Sequence, residues 1–317
     1  MSDLRSIRAS LPRLFWPAAA AGLLLVALLV SGFGCRSWPS VITSAATTSQ
    51  QHSDSDSDFR QASDPCGTIA TANGRATASY QGVSFIFERS LASNIKAETV
   101  TPIVLEREGD KPDSVTPKHI AFSLLGPYAE QHKSSFFQPQ IHVYPIEEYK
   151  KVLAVSPEAV REFEDIVQRL ATMLVEDGDA FGKEQWMPFL PYGIDATQQF
   201  HVHVKHLTFE QGKGIAFITQ YNIEPTLINN NGLVYTFQGL TYDRRYYIVA
   251  TFPVSAPFLA NDASATFTRG YEIKWPKQPK DWDQFEKNYK EYVSKVAKRL
   301  ELLSPAEFRR SSRFLRN

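Results

Sequence analysis

The run Phe200-His201-Val202-His203-Val204-Lys205-His206 is the sharpest chemical candidate in this chain. On a strand, residues two apart share a face about 6.5–7 Å from one another, close enough for two imidazoles to reach one metal ion. His201 and His203 are therefore the candidate metal ligands, and the chemistry they would support is metal-dependent hydrolysis outside the cytoplasm. Three features weigh against that use. Phe200, Val202 and Val204 take the apolar face and leave His201 and His203 on the polar one. Lys205 continues the polar face, where a cation opposes a divalent metal. His206 has the other parity unless a bulge turns it, and Glu210 is the nearest carboxylate in sequence. A solvated sheet face fits these residues better than a metal centre.

No other run carries a recognisable reaction. His-Glu-x-x-His, Cys-x-x-Cys, the phosphate-cradling G-x-x-x-x-G-K-[ST] and G-x-G-x-x-G are all absent, so no catalytic residue and no cofactor is assigned. Gly82-Val83-Ser84-Phe85-Ile86 begins like a nucleophile elbow but lacks its second glycine. Cys66, in Asp64-Pro65-Cys66-Gly67, has neither a histidine nor a helix start beside it to lower its thiol pKa. His119, His132 and His142 are scattered single residues that read as hydrogen-bonded structural groups. Asp110, Asp113, Glu147 and Glu148 read as ordinary loop or helix-start charges. Phe136, Phe137, Tyr221, Tyr235, Phe237, Tyr242, Tyr246 and Tyr247 could stack on sugars, peptides or bases, although filling a core and cross-strand pairs is the simpler use. Because Tyr246 and Tyr247 are adjacent on a strand, one of them is expected to face away from the core.

The address is written more clearly than the activity. Arg5, Arg8 and Arg13 precede Leu14 to Gly34, a stretch with no ionisable side chain that is most apolar from Ala18 to Val30. A secretory signal needs an apolar core of about 7–15 residues, and a membrane span needs about 18 or more. Both fit. Val30-Ser31-Gly32-Phe33-Gly34-Cys35 also resembles a bacterial lipobox, with Gly34 in place and Gly32 and Phe33 departing from it; Cys35 is then the candidate lipidation site. The three basic residues hold the N-terminus inside, so residues 1–35 act as a signal or an anchor and the rest faces outward. Residues 36–66 are rich in Ser, Thr, Gln and Asp and cannot bury enough apolar surface to order, so they read as a disordered linker. Asp54, Asp56 and Asp58 imitate a calcium loop, yet Phe59 and Pro65 stand where its glycine and glutamate belong.

Residues 67–310 then form one extracytoplasmic domain. The 317 residues hold 34 basic and 34 acidic side chains, so no global field attracts nucleic acid. The two cysteines are Cys35 and Cys66, and lipidation of the first leaves no internal disulfide. No Asn-x-Ser/Thr sequon occurs.

Two helices are expected. Ser156 caps the first, Pro157 suits its first turn, and Val160, Phe163, Ile166, Val167, Leu170, Met173 and Leu174 form one stripe up to Asp177-Gly178. Asp281 or Asp283 caps the second, whose stripe is Phe285, Tyr289, Tyr292, Val293, Val296 and Leu300, up to Ser304-Pro305. Strands are expected at Val83–Glu88, His119–Leu125 and Gln140–Tyr144. One hairpin runs from Gln198–Phe209 through a Gly212-Lys213-Gly214 turn to Ile215–Tyr221. A second runs from Leu233–Phe237 through Tyr242-Asp243-Arg244 to Tyr246–Phe252. The fold class that follows is α+β, a mainly antiparallel sheet with two long amphipathic helices packed on it, covering one face.

Ile228-Asn229-Asn230-Asn231-Gly232-Leu233-Val234-Tyr235-Thr236-Phe237-Gln238-Gly239-Leu240-Thr241, followed by Arg245-Tyr246-Tyr247-Ile248, resembles uncharacterised exported bacterial proteins, and so does Pro188-Phe189-Leu190-Pro191 leading into Gln199-Phe200. The resemblance covers roughly residues 80–310 and implies a bacterial cell envelope protein without supplying site residues. The functional expectation is a membrane-tethered, non-catalytic module for an envelope protein, peptide or glycan partner, the alternative being the hydrolase built on His201 and His203.

Overall fold

The computed structural model describes residues 28–30, 67–70, 74–104, 115–175, 186–190, 196–263 and 281–310. Cys35, Cys66, the linker and Asp177-Gly178 lie outside them. Strands β1 (Leu28–Val30), β2 (Gly67–Ala70), β3 (Arg75–Tyr80) and β4 (Val83–Glu88) form an antiparallel sheet in the order β1-β4-β3-β2. β5 (Asn94–Val100), β6 (His119–Leu125), β7 (Gln140–Pro145), β8 (Thr197–Phe209), β9 (Gly212–Asn222), β10 (Val234–Thr241) and β11 (Tyr246–Pro253) form a seven-stranded sheet, β5-β6-β7-β11-β10-β9-β8. All of its pairings are antiparallel. The helices are α1 (Pro127–Gln131), α2 (Ile146–Leu153), α3 (Pro157–Met173), α4 (Trp282–Glu301) and α5 (Pro305–Arg310). The molecule is thus α+β with a mainly antiparallel sheet. No described helix is long and apolar enough to cross a membrane.

The large sheet is covered on both faces, which corrects the expectation of helices on one face. Alternate residues of the same strands enter different cores. Ile215 and Phe217 of β9 and Tyr247 and Val249 of β11 pack with Phe163 and Leu170 of α3 and with Tyr149 of α2. Ala216, Ile218, Ile248 and Ala250 point the other way, toward Phe285, Tyr292 and Val296 of α4 and Phe85 of the small sheet. β10 and β11 are therefore almost wholly buried, as strands sandwiched on both sides must be. The same alternation removes the expected exposed tyrosine: Tyr247 is fully buried in one core, and Tyr246 packs against the other.

Gly212 and Gly214, expected in a turn, lie within β9, and the chain turns at Glu210-Gln211 instead. The Phe237 ring lies across the cross-strand pair Gly214 and Gly239, and a Cβ at Gly214 would stand 2.3 Å from its Cζ. These glycines make room for a ring. Ser156 caps α3, its Oγ accepting from the Ala159 N–H at 3.3 Å. Asp281 occupies the N-cap of α4 without a side-chain cap bond.

Candidate functional site

Two bulges break the alternation of β8 that the metal-ligand geometry needs, one between Gln198 and His201 and one between Val202 and Lys205. His203 takes a left-handed φ of 54°. Its backbone N–H donates to Glu301 Oε2 at 2.8 Å, and its Nε2–H donates to the Leu300 carbonyl at 2.9 Å. Its ring stands edge-on to Phe308, so the residue is spent on seating the end of α4. His201 lies opposite Thr219 and His206 opposite Ile215, four residues apart on β9 and so about 13 Å along the strand. The bulges thus give His206 the parity of His201 but do not bring the three imidazoles to one point. Burial holds His201 below its ordinary pKa, with the Glu301 charge pulling the other way. Among the described residues, no group of three or more His, Cys, Asp or Glu is placed to hold a metal ion.

A pair of histidines separated in sequence does meet. Register puts Ala121 of β6 opposite His142 of β7 and Ser123 opposite Gln140. His119 Nε2 stands 3.0 Å from His142 Nδ1. His119 Nδ1 stands 2.8 Å from the Pro117 carbonyl, and His142 Nε2 stands 3.1 Å from Gln140 Oε1. Both rings lie against Tyr144, His119 at 4.4 Å between centroids and His142 nearly parallel to it at 6°. Burial pushes both pKa values down, that of His142 to about 3, with His119 adding to the depression. Glu98 and Lys96 of β5 pair at 2.9 Å on the exposed side of this patch. Nothing in the spacing of residues 119 and 142 signals this pair, since strand pairing alone joins them.

The third feature is aromatic. The loop 132–139 carries Phe136 and Phe137 in edge-to-face contact at 5.0 Å, and Phe137 meets both Phe189 and Tyr221. Phe189 lies 4.5 Å from Tyr221. Residues 186–190 are strapped to the sheet by amide side chains: the Met187 N–H donates to Gln198 and the Leu190 N–H to Gln238, and Gln198 also donates to the Tyr221 hydroxyl. Phe136 at the outer end of this cluster is 69% exposed, and Trp186 on the strap is 49% exposed. Hydrophilic groups lie alongside: the Phe136 N–H donates to the Asn231 carbonyl, and Ser134 Oγ donates to Asn231 Oδ1. Phe136, Phe137 and Tyr221 belong to the aromatics singled out in the sequence; Trp186 and Phe189 do not.

The Asn229-Asn230-Asn231 run that carries the sequence resemblance is a latch. The Asn229 N–H donates to Gln220, its side chain donates to the Leu227 carbonyl and accepts from the Gly232 N–H, and Asn230 accepts from the Ala256 N–H. Tyr292 and Tyr289 of α4 accept from the N–H groups of Ile228 and Thr226 in the same turn. These amides answer backbone groups that burial would otherwise leave unpaired, which is a structural duty. Neither a protein-family model, nor a curated protein, nor a solved structure matches the chain.

Proposed function

We propose that this protein is a membrane-tethered module of the cell envelope that binds an extracytoplasmic glycan through the aromatic cluster, without catalysing a reaction on it. A sheet held between two long amphipathic helices serves as the platform, the linker 36–66 as the tether, and residues 1–35, with Cys35 as the lipid-bearing candidate, as the attachment; in the attached protein Leu28–Val30 leaves its pairing with β4. The exposed Phe136 ring at the end of a packed aromatic row carries the reading. Sugar rings present an apolar face that stacks on an aromatic side chain and hydroxyls that suit nearby amides and serines. Ser134 and Asn231 supply such groups beside Phe136.

The test is calorimetric titration of the full-length protein in detergent with soluble envelope glycan fragments, alongside Phe136→Ala and Trp186→Ala. Saturable binding that weakens at least tenfold in the variants, with unchanged melting temperatures, supports the proposal. Equal binding by all three proteins overturns the site. Stoichiometric zinc that disappears on replacing His201 and His203 with alanine restores the hydrolase in its place.

A further inference from the structure

The contacts around His119 and His142 set a proton count. Pro117 offers a carbonyl, which only accepts, so His119 Nδ1 carries a hydrogen. That leaves His119 Nε2 bare in a neutral ring, and the hydrogen in the contact to His142 belongs to His142 Nδ1. A neutral His142 then has a bare Nε2, yet Gln140 presents its carbonyl oxygen there at 3.1 Å. Three contacts ending on two acceptors need three N–H groups, and two neutral imidazoles have two. The geometry is satisfied when the pair holds one extra proton, or when the Gln140 amide turns over and donates from its nitrogen.

We infer that His119 and His142 form a binding site for a single proton, and that Gln140 is the amide that reverses when the site fills. In the empty state the Gln140 NH2 donates to His142 Nε2. In the filled state a proton from solvent sits on His142 Nε2 and is donated to Gln140 Oε1, which is the arrangement in the structure. The other two hydrogen bonds are the same in both states, and the reversal is a half turn about the terminal side-chain bond.

The surroundings decide which state prevails at neutral pH. The Tyr144 face lies against both rings and favours a cation. Opposing it is desolvation, which falls on the charged form. From β5, Lys96 and Glu98 face this side of the sheet but neutralise one another. Lys118 beside His119 is exposed, the neighbouring positions Val249 and Thr251 of β11 bear no charge, and from α2 Tyr149 packs against Tyr144. No carboxylate among the described residues hydrogen-bonds to either ring. The site is therefore empty at neutral pH and fills in acid.

Long-range 1H–15N spectra of the labelled full-length protein, recorded from pH 7.5 downward, test this. The expected result is one bare Nε2 on each ring at pH 7.5, with the first proton arriving at His142 Nε2 well below the ordinary histidine range. Gln140→Glu replaces the neutral acceptor with an anion and should raise the proton affinity of His142 at least tenfold, bringing the titration into range even if acid unfolds the parent. An Nε2–H tautomer of His142 at neutral pH, titration of His142 near 6.5, or no change in Gln140→Glu would each overturn the inference.

Discussion

His203 combines a left-handed backbone with two hydrogen bonds to the last turn of α4. Alanine there keeps the unfavourable φ and loses the ring's bond to Leu300, so His203→Ala should cost about 1–2 kcal/mol. Glycine loses the same bond but relieves the φ and should cost less; urea midpoints of the two variants check the order. The histidines also give stability a direction with pH. Burial lowers His119, His132, His142 and His201, and His142 falls to about 3 from 6.5. A histidine lowered in the folded state binds more protons when unfolded, so its stabilising contribution is complete above about pH 6.5 and declines as pH falls toward the folded value. For His142, the most strongly lowered of these, the slope approaches about 1.4 kcal/mol per pH unit at pH values between its folded and unfolded values. The urea midpoint should therefore drop between pH 7 and pH 5, and drop less in His142→Gln; a flat profile would contradict the burial of the pair. Sequence pattern offered His201 and His203 because they stand two apart on a strand, and it passed over His119 and His142 because only register unites them.

At the scale of elements, sequence pattern located β4 and β6 to β11 but not β1, β2, β3 or β5, and it located the turns less well. Val83–Glu88 and His119–Leu125 are strands over the expected residues. The hairpin of β8 and β9 is where it was expected, but Gly212 and Gly214 lie inside a strand because Phe237 needs a bare backbone beneath it. Adding a methyl group at Gly214 forces the ring and the Gln238 carbonyl to move. Gly214→Ala should therefore destabilise by about 1–3 kcal/mol, and the double variant with Phe237→Leu should recover part of that loss in a denaturation cycle. Recovery of nothing would place the strain on the carbonyl alone. Ser156 was legible as a cap because Ser-Pro-Glu is a local signal. Ser156→Ala removes one acceptor from the first turn of α3 and should cost about 1 kcal/mol by the same measurement. The bulges of β8 were not legible, because they arise where the strand adapts to α4.

In the molecule as a whole, the seven-stranded sheet carries two cores, and its central strands β10 and β11 are buried on both faces, taking Thr236, Gln238 and Thr251 inside with them. An alternating pattern distinguishes one face from the other only when one of them meets water, which is why coverage of both faces was invisible in the sequence. The aromatic row has the same origin: Phe136 and Phe137 belong to a loop, Phe189 to a strap and Tyr221 to β9, and folding alone aligns them. The proposed tether and outward-facing topology are read from the first 66 residues of the sequence, and the proposed binding surface is read from the aromatic row. Calorimetric titration of the full-length protein with envelope glycans, repeated with Phe136→Ala, addresses the central claim most directly. The account predicts saturable binding that falls at least tenfold in the variant while the melting temperature stays unchanged. Undiminished binding by Phe136→Ala, or no binding by the parent protein to any envelope glycan, would contradict it.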